Sequence, residues 1–165
     1  MAQKNPKLSS STPCRLDILK KLRIVIRAAQ QHSQWIEKQC SVSGAQLWLM
    51  QELHEKSELR VGELAKKLAI HQTTTSNLLD DLEKRGFIVK ARDPIDQRAV
   101  RVQLSATGRA LLARAPKPAK GLLPQALSQL DDDYCKQLDA GLQGLLDRID
   151  VLDEEFGMLP LPFTM

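Results

Sequence analysis

The chain has 165 residues, 42% of them apolar and 27% charged, with a net charge of +4. That suffices for one packed core and is too balanced for a collagen-like rod, wholesale disorder or a disulfide scaffold. No apolar run reaches the ~18 residues of a membrane span, the opening MAQKNPKLSSSTP lacks the apolar stretch of a signal peptide, and three scattered cysteines fit a reducing cytoplasm.

Charge is unevenly spread. Residues 1–40 sum to +6, 60–101 to +3 and 102–120 to +4, whereas 41–59 sum to −2 and 121–165 to −7. A chain so polarised offers a basic region to a polyanion and must keep its acidic end elsewhere.

Residues 1–13 are polar, with two prolines and a serine run, and are expected to form a disordered arm. A long helix is expected over 14–40. Leu16, Leu19, Leu22, Ile26 and Ala29 recur at helical spacing, and Ile18, Val25, Trp35 and Ile36 widen the stripe. So broad a stripe needs several helices, or another chain, to cover it. Ser43-Gly44-Ala45-Gln46 has the form of a capping box and should start a second helix running to about Lys56. Arg60-Val61 reads as a short extended link, and Gly62 to Leu68 as a third helix. Ala69-Ile70-His71 makes a tight connection to a fourth helix, Gln72 to Arg85, with Gly86 at its left-handed end.

The period then changes to two. Phe87 to Arg92 and Arg98 to Leu104 read as a β-hairpin around the turn-rich Asp93-Pro94-Ile95-Asp96-Gln97. Ser105 caps a further helix, which Pro116, Pro118, Gly121 and Pro124 interrupt. A last helix is expected from Asp131 to Leu152, with Leu138, Leu142, Leu145, Leu146, Ile149 and Leu152 as its stripe. The tail from Gly157 to Met165 carries two prolines and is expected to be loose. The fold expected is mostly α with a small β-wing: a winged helix-turn-helix over 41–108, flanked by terminal helical regions over 14–40 and 109–155 whose stripes call for several helices or another chain, with a loose tail over 156–165.

This arrangement suits DNA. The fourth helix presents Gln72, Thr73, Thr74, Ser76 and Asn77, short polar side chains able to read base edges in a major groove. The hairpin carries Arg92, Arg98 and Arg101, and an arginine at its tip suits a narrow minor groove. Lys84 adds a cation at the end of the same helix. A nucleotide loop, a nucleophile–base set and paired carboxylates are not found, so no enzyme is expected. Asp131-Asp132-Asp133 reads as a helix start.

The residues also resemble the MarR family of bacterial transcriptional regulators. Leu82-Glu83-Lys84-Arg85-Gly86-Phe87-Ile88 matches the end of the family's recognition helix and the entry to its wing. Asp93-Pro94-Ile95-Asp96-Gln97-Arg98-Ala99-Val100 matches the wing, and Leu104-Ser105-Ala106-Thr107-Gly108 the exit. The resemblance covers roughly 15–152. It implies a cytoplasmic homodimer that binds a pseudo-palindromic operator in double-stranded DNA, usually as a repressor relieved by small aromatic acids, phenols or oxidation. It implies that Asp96 orients the wing through a charge contact and that Arg98 enters the minor groove. Asn77 and Asp81 stand where many relatives have arginine, and Thr75 where an apolar residue is common. The family's effector pocket implies Arg27, His32, Trp35, Ile36 and Trp48 as lining, a cation and indoles able to hold an aromatic carboxylate.

Two alternatives remain at this stage, a redox-sensing regulator of the same fold and a winged helix used for protein contacts. Cys14, near a helix start and beside Arg15, is the most activated of the cysteines by position, but isolated structural thiols are the simpler reading. His32, His54 and His71 have no metal-ligand spacing, and no cofactor is expected.

Overall fold

The computed structural model describes residues 12–150 and 153–165. The expected arm lies outside them through residue 11, as does Leu152 of the last apolar stripe. Seven helices and three strands follow in the order α1 (Thr12–Cys40), α2 (Gly44–Lys56), β1 (Leu59–Arg60), α3 (Val61–Leu68), α4 (Gln72–Lys84), β2 (Ile88–Arg92), β3 (Val100–Leu104), α5 (Ala106–Arg114), α6 (Leu122–Ser128) and α7 (Asp132–Leu146).

The core lies in the middle of the chain. Leu47, Leu49, Met50, Leu53, Leu64, Leu79, Leu82 and Val102 are essentially sealed from solvent. They come from α2, α3, α4 and β3, so the two-helix motif and the hairpin share one apolar centre. Local chemistry sets the boundaries. Ser43 Oγ accepts the N–H of Gln46 at 3.2 Å, and Gln46 Oε1 accepts that of Ser43 at 2.9 Å, closing the expected capping box. Thr75 is fully buried, and its hydroxyl donates to the His71 carbonyl at 3.0 Å, so its methyl fills an apolar position without stranding a polar atom.

The sheet is antiparallel, in the order β1-β3-β2. The expected link at Arg60 is in fact a short third strand, with Leu59 opposite Val102 and Arg60 opposite Arg101. Two residues give no period to read, so this strand is set by pairing rather than by local sequence. The hairpin strands are shorter than expected because the Ala99 N–H bonds the Asp96 carbonyl at 2.8 Å, drawing Arg98 and Ala99 into the turn.

The wing's two ends are stapled together. Gly86 takes φ +74°, the left-handed conformation expected of it. Ser105 Oγ donates to the Gly86 carbonyl at 2.7 Å and accepts from the Gly108 N–H at 2.9 Å. A Cβ at Gly108 would sit 2.0 Å from the Phe87 carbonyl oxygen, so only glycine fits there.

The second half departs from a pair of long helices. α5 stops at Arg114 because Ala115, ahead of Pro116, turns extended at φ −69°, ψ 150°. α6 tolerates Pro124 in its first turn, where no intrahelical N–H is needed. α7 ends at Leu146 rather than near Leu152. Its last turn has no basic residue and Asp147 follows, both unfavourable at the negative end of a helix dipole. The tail is not loose. It forms two 3-10 turns, Glu154–Met158 and Pro162–Thr164, the second packed on α1 and α2. Among the described residues no helix is long and apolar enough to cross a membrane.

Candidate nucleic-acid interface

α4 buries Thr75, Leu79 and Leu82 and turns its other side outward. Gln72, Thr73, Asn77 and Lys84 are exposed, while Thr74 and Ser76 are half-buried. Ser76 Oγ donates to the Gln72 carbonyl at 3.0 Å, which leaves its oxygen lone pairs free to accept. Arg98, on the wing turn, is exposed. One open groove is bordered by Gln72, Ser76 and Arg98 together with Lys66, so the start of α4 and the wing tip face the same space. Arg92 is exposed on β2 and donates to the Gln97 carbonyl at 3.3 Å.

The acid that orients the wing is Asp93, not Asp96. Asp93 has no solvent exposure. Its Oδ2 accepts from Arg60 Nη2 at 2.6 Å and Arg101 Nε at 2.8 Å, and its Oδ1 accepts the N–H groups of Ile95 at 2.9 Å and Asp96 at 3.2 Å. Arg101 foremost, then those backbone donors and Arg60, outweigh the cost of burial and hold the carboxyl well below the usual carboxylate range. Asp96 is exposed and only accepts the Arg98 N–H, at 3.1 Å. The sequence signal for Asp93 is an Asp-Pro opening a turn, but its partner Arg60 is far away in the chain, and nothing local announces it. The same pairing removes Arg101 from the cations expected to meet a polyanion, since its Nη1 also donates to Glu58 at 3.1 Å.

Asp81 is likewise compensated. Its carboxylate accepts from Gln46 Nε2 at 2.8 Å and Arg85 Nη1 at 3.4 Å, tying α4 to α2. Asp80 sits below its ordinary pKa because the Lys90 ammonium donates to it.

A cavity of about 230 Å³ lies inward of this face, between α1, α2 and the α3–α4 turn. His32, Ile36 and Trp48 line it; Arg27 and Trp35 do not. Arg27 is exposed on α1, and Trp35 is 48% exposed, meeting the His32 ring edge-on at 5.8 Å. The resemblance places both at the pocket, but on α1 they fall outside the cavity lining. The cation at the cavity is Lys120, which the sequence did not single out. It bonds Glu52 at 2.8 Å and Glu55 at 2.9 Å. Burial alone would raise the Glu52 pKa, but hydrogen bonds from Lys120, Lys67 and Trp48 hold it down. For Lys120, burial works against the charge and the two carboxylates outweigh it, so its pKa is raised.

Cys40 is buried and desolvation pushes its thiol pKa up, which disfavours the reactive thiolate. Cys14 is exposed and Cys135 half-buried, both free. Among the described residues no cluster of His, Cys, Asp or Glu could hold a metal ion.

Residues 42–100 match the model of the MarR family. The chain is 30% identical over 96 residues to YsmB, an uncharacterised HTH-type transcriptional regulator of Bacillus subtilis, covering 58% of this chain and 66% of that protein. It is 29% identical over 104 residues to the transcriptional repressor MprA of Escherichia coli, covering 63% of this chain and 59% of that protein. The alignments thus span about three fifths to two thirds of those relatives. A MarR family regulator from Streptomyces coelicolor, solved in complex with DNA, superposes with a TM-score of 0.61 at 19% identity, over 91% of this chain and 94% of that one. An operator-bound mutant of Escherichia coli MarR gives 0.53 at 20% identity, over 79% and 96%. At these identities the two structures establish a shared fold.

Proposed function

Because the chain belongs to the MarR family through the winged helix at 42–100, we propose that it is a transcriptional regulator that binds double-stranded DNA as a homodimer. The observation that carries this reading is the groove shared by the polar start of α4 and Arg98 of the wing. In this reading Gln72, Thr73, Thr74, Ser76 and Asn77 read a major groove, Arg98 enters the adjacent minor groove, and Lys84 and Arg92 meet phosphates. Asp96 supports the Arg98 backbone rather than touching DNA. That α4 presents Thr, Ser and Asn rather than an apolar face argues against a protein-contact module.

Homodimerisation fits the terminal helices. Leu16, Ile24 and Ile26 on α1 are 54%, 66% and 53% exposed, and Leu138, Leu142 and Leu145 on α7 are 41%, 44% and 45% exposed. Burying such stripes contributes on the order of 25 cal/mol per Å², and a second copy supplies matching stripes at both ends.

Repression with ligand relief is the regulatory mode we favour, the effector occupying the cavity beside His32, Ile36 and Trp48. A phenol suits that cavity better than an aromatic acid, because Arg27 lies outside it and Lys120 already serves two carboxylates.

The test is selection of genomic fragments by the purified protein, with affinities measured across a salt series, with and without phenol and salicylate. Specific fragments whose log K falls by about 0.9 per neutralised phosphate for each tenfold rise in salt support the reading. Salt-independent binding, or no enriched fragment, would sink it. A fragment set unchanged by either compound would remove ligand relief.

A further inference from the structure

The C-terminal segment reaches the N-cap residue of α4. Asp153 Oδ1 accepts the Glu155 N–H at 3.0 Å and starts the turn Glu154–Met158. The Met158 carbonyl then accepts the N–H of His71 at 3.0 Å. His71 is the N-cap residue of α4, so this contact falls at the end of the helix that reads DNA in the proposal above. Met158 also borders the groove shared by Gln72, Ser76 and Arg98.

The rest of the segment is anchored. Leu159 and Leu161 line the inner cavity. Ser33 Oγ, on α1, donates to the Phe163 carbonyl at 2.6 Å. Thr164 lies so close to Gly44 that a Cβ there would be 3.4 Å from the threonine's own.

The segment is also acidic. Asp153, Glu154 and Glu155 are all exposed, and residues 149–165 contain no Lys or Arg. A polyanion approaching the start of α4 therefore meets a carbonyl oxygen already seated on a helix-end N–H, with Glu154 and Glu155 exposed in the same short turn as that carbonyl. Both oppose the attraction such a helix end has for phosphate.

We propose that residues 153–165 form an autoinhibitory strap, which when docked between α1, α2 and the α3–α4 turn weakens DNA binding by α4 and the wing. This rests on the DNA-binding reading. The strap lowers affinity twice, by occupying space beside Gln72 and Arg98 and by repelling phosphates.

The test compares three proteins: the full chain, a chain ended after Leu152, and the full chain with E154Q and E155Q together. Each is titrated by fluorescence anisotropy against a fragment recovered by selection and against random-sequence duplex. Truncation should tighten binding about tenfold and the double substitution about threefold, with the gain shrinking at high salt. Hydrogen exchange at the His71 amide should speed up on truncation and stay slow in the double variant. Thermal melts show whether the truncated chain folds; if it does not, the double variant decides. Equal or weaker binding by a folded truncated chain, or by the double variant, overturns the autoinhibition. So does a His71 amide that exchanges equally fast with and without the segment. If none of the three proteins binds either duplex, the DNA-binding reading falls and the autoinhibition with it. If all three bind equally well, the autoinhibition falls alone.

Discussion

The middle of the chain and its two ends solve the burial problem differently. Between α2 and α5 every element hides its apolar face within the same chain: Leu47, Leu49, Leu64 and Leu79 are fully buried. α7 buries no residue at all, and α1 leaves Leu16, Ile18, Leu19, Ile24, Val25 and Ile26 exposed. The middle is finished as a monomer, and the ends are not. If the proposed function holds, the contrast separates specificity, carried by the middle, from assembly, carried by the ends. One region presents polar side chains on a closed core, and the other presents apolar side chains that the described residues leave uncovered and that a second copy would cover in the dimer proposed above.

The largest effect should come from breaking the ends. Leu138→Glu with Leu145→Glu should convert a dimer to a monomer in sedimentation velocity and lower operator affinity about 100-fold, as paired half-sites lose their avidity. The middle should stay folded by circular dichroism. A protein that remains dimeric would place the interface elsewhere.

Breaking the middle comes next. Leu79→Ala removes a fully buried anchor of α4 and should cost about 3 kcal/mol in urea unfolding. An effect under about 1 kcal/mol would mean that the α4 core tolerates a cavity.

Arg98→Ala sharpens the comparison, since it touches the polar face without touching the core. Affinity for the selected fragment should fall about tenfold, with the melting temperature unchanged. A drop in melting temperature would reassign Arg98 to structure.

The smallest effect concerns the wing's anchor. The folded pKa of Asp93 is depressed, so its stabilising contribution is complete above the unfolded value of about 4 and is lost as pH falls from there toward the folded value. Asp93→Asn should therefore lower the melting temperature at pH 7, and the gap to the parent should narrow as pH falls below about 4. A gap constant with pH would mean that the carboxylate's charge contributes nothing.

Much of the middle was legible because its signals are local. The capping box at Ser43, the left-handed Gly86, the alternation of Val100, Val102 and Leu104 and the cap at Ser105 each need only neighbouring residues. What could not be read depends on distant pairs. The sequence points to Asp96 rather than Asp93 because Arg60 reaches Asp93 only across the folded sheet. Strand β1 has no period of its own and exists only beside β3. Lys120 sits in a proline-rich link, and its partners Glu52 and Glu55 are on α2. The two prolines of the tail suggested looseness, and the bonds that hold it run to His71 and Ser33. In the cavity, the resemblance groups Trp35 with Ile36, but adjacent residues on a helix point about 100° apart, and only Ile36 turns inward.

The staple at Gly108 has a mechanical consequence. Its backbone rests against the Phe87 carbonyl, and Ser105 ties Gly86 to the first turn of α5. The hairpin is thus clamped at its root to two rigid rods, α4 on one side and α5 on the other. A sideways pull on the wing would therefore be felt first at that root, where Ser105 and Gly108 tie it to the first turn of α5.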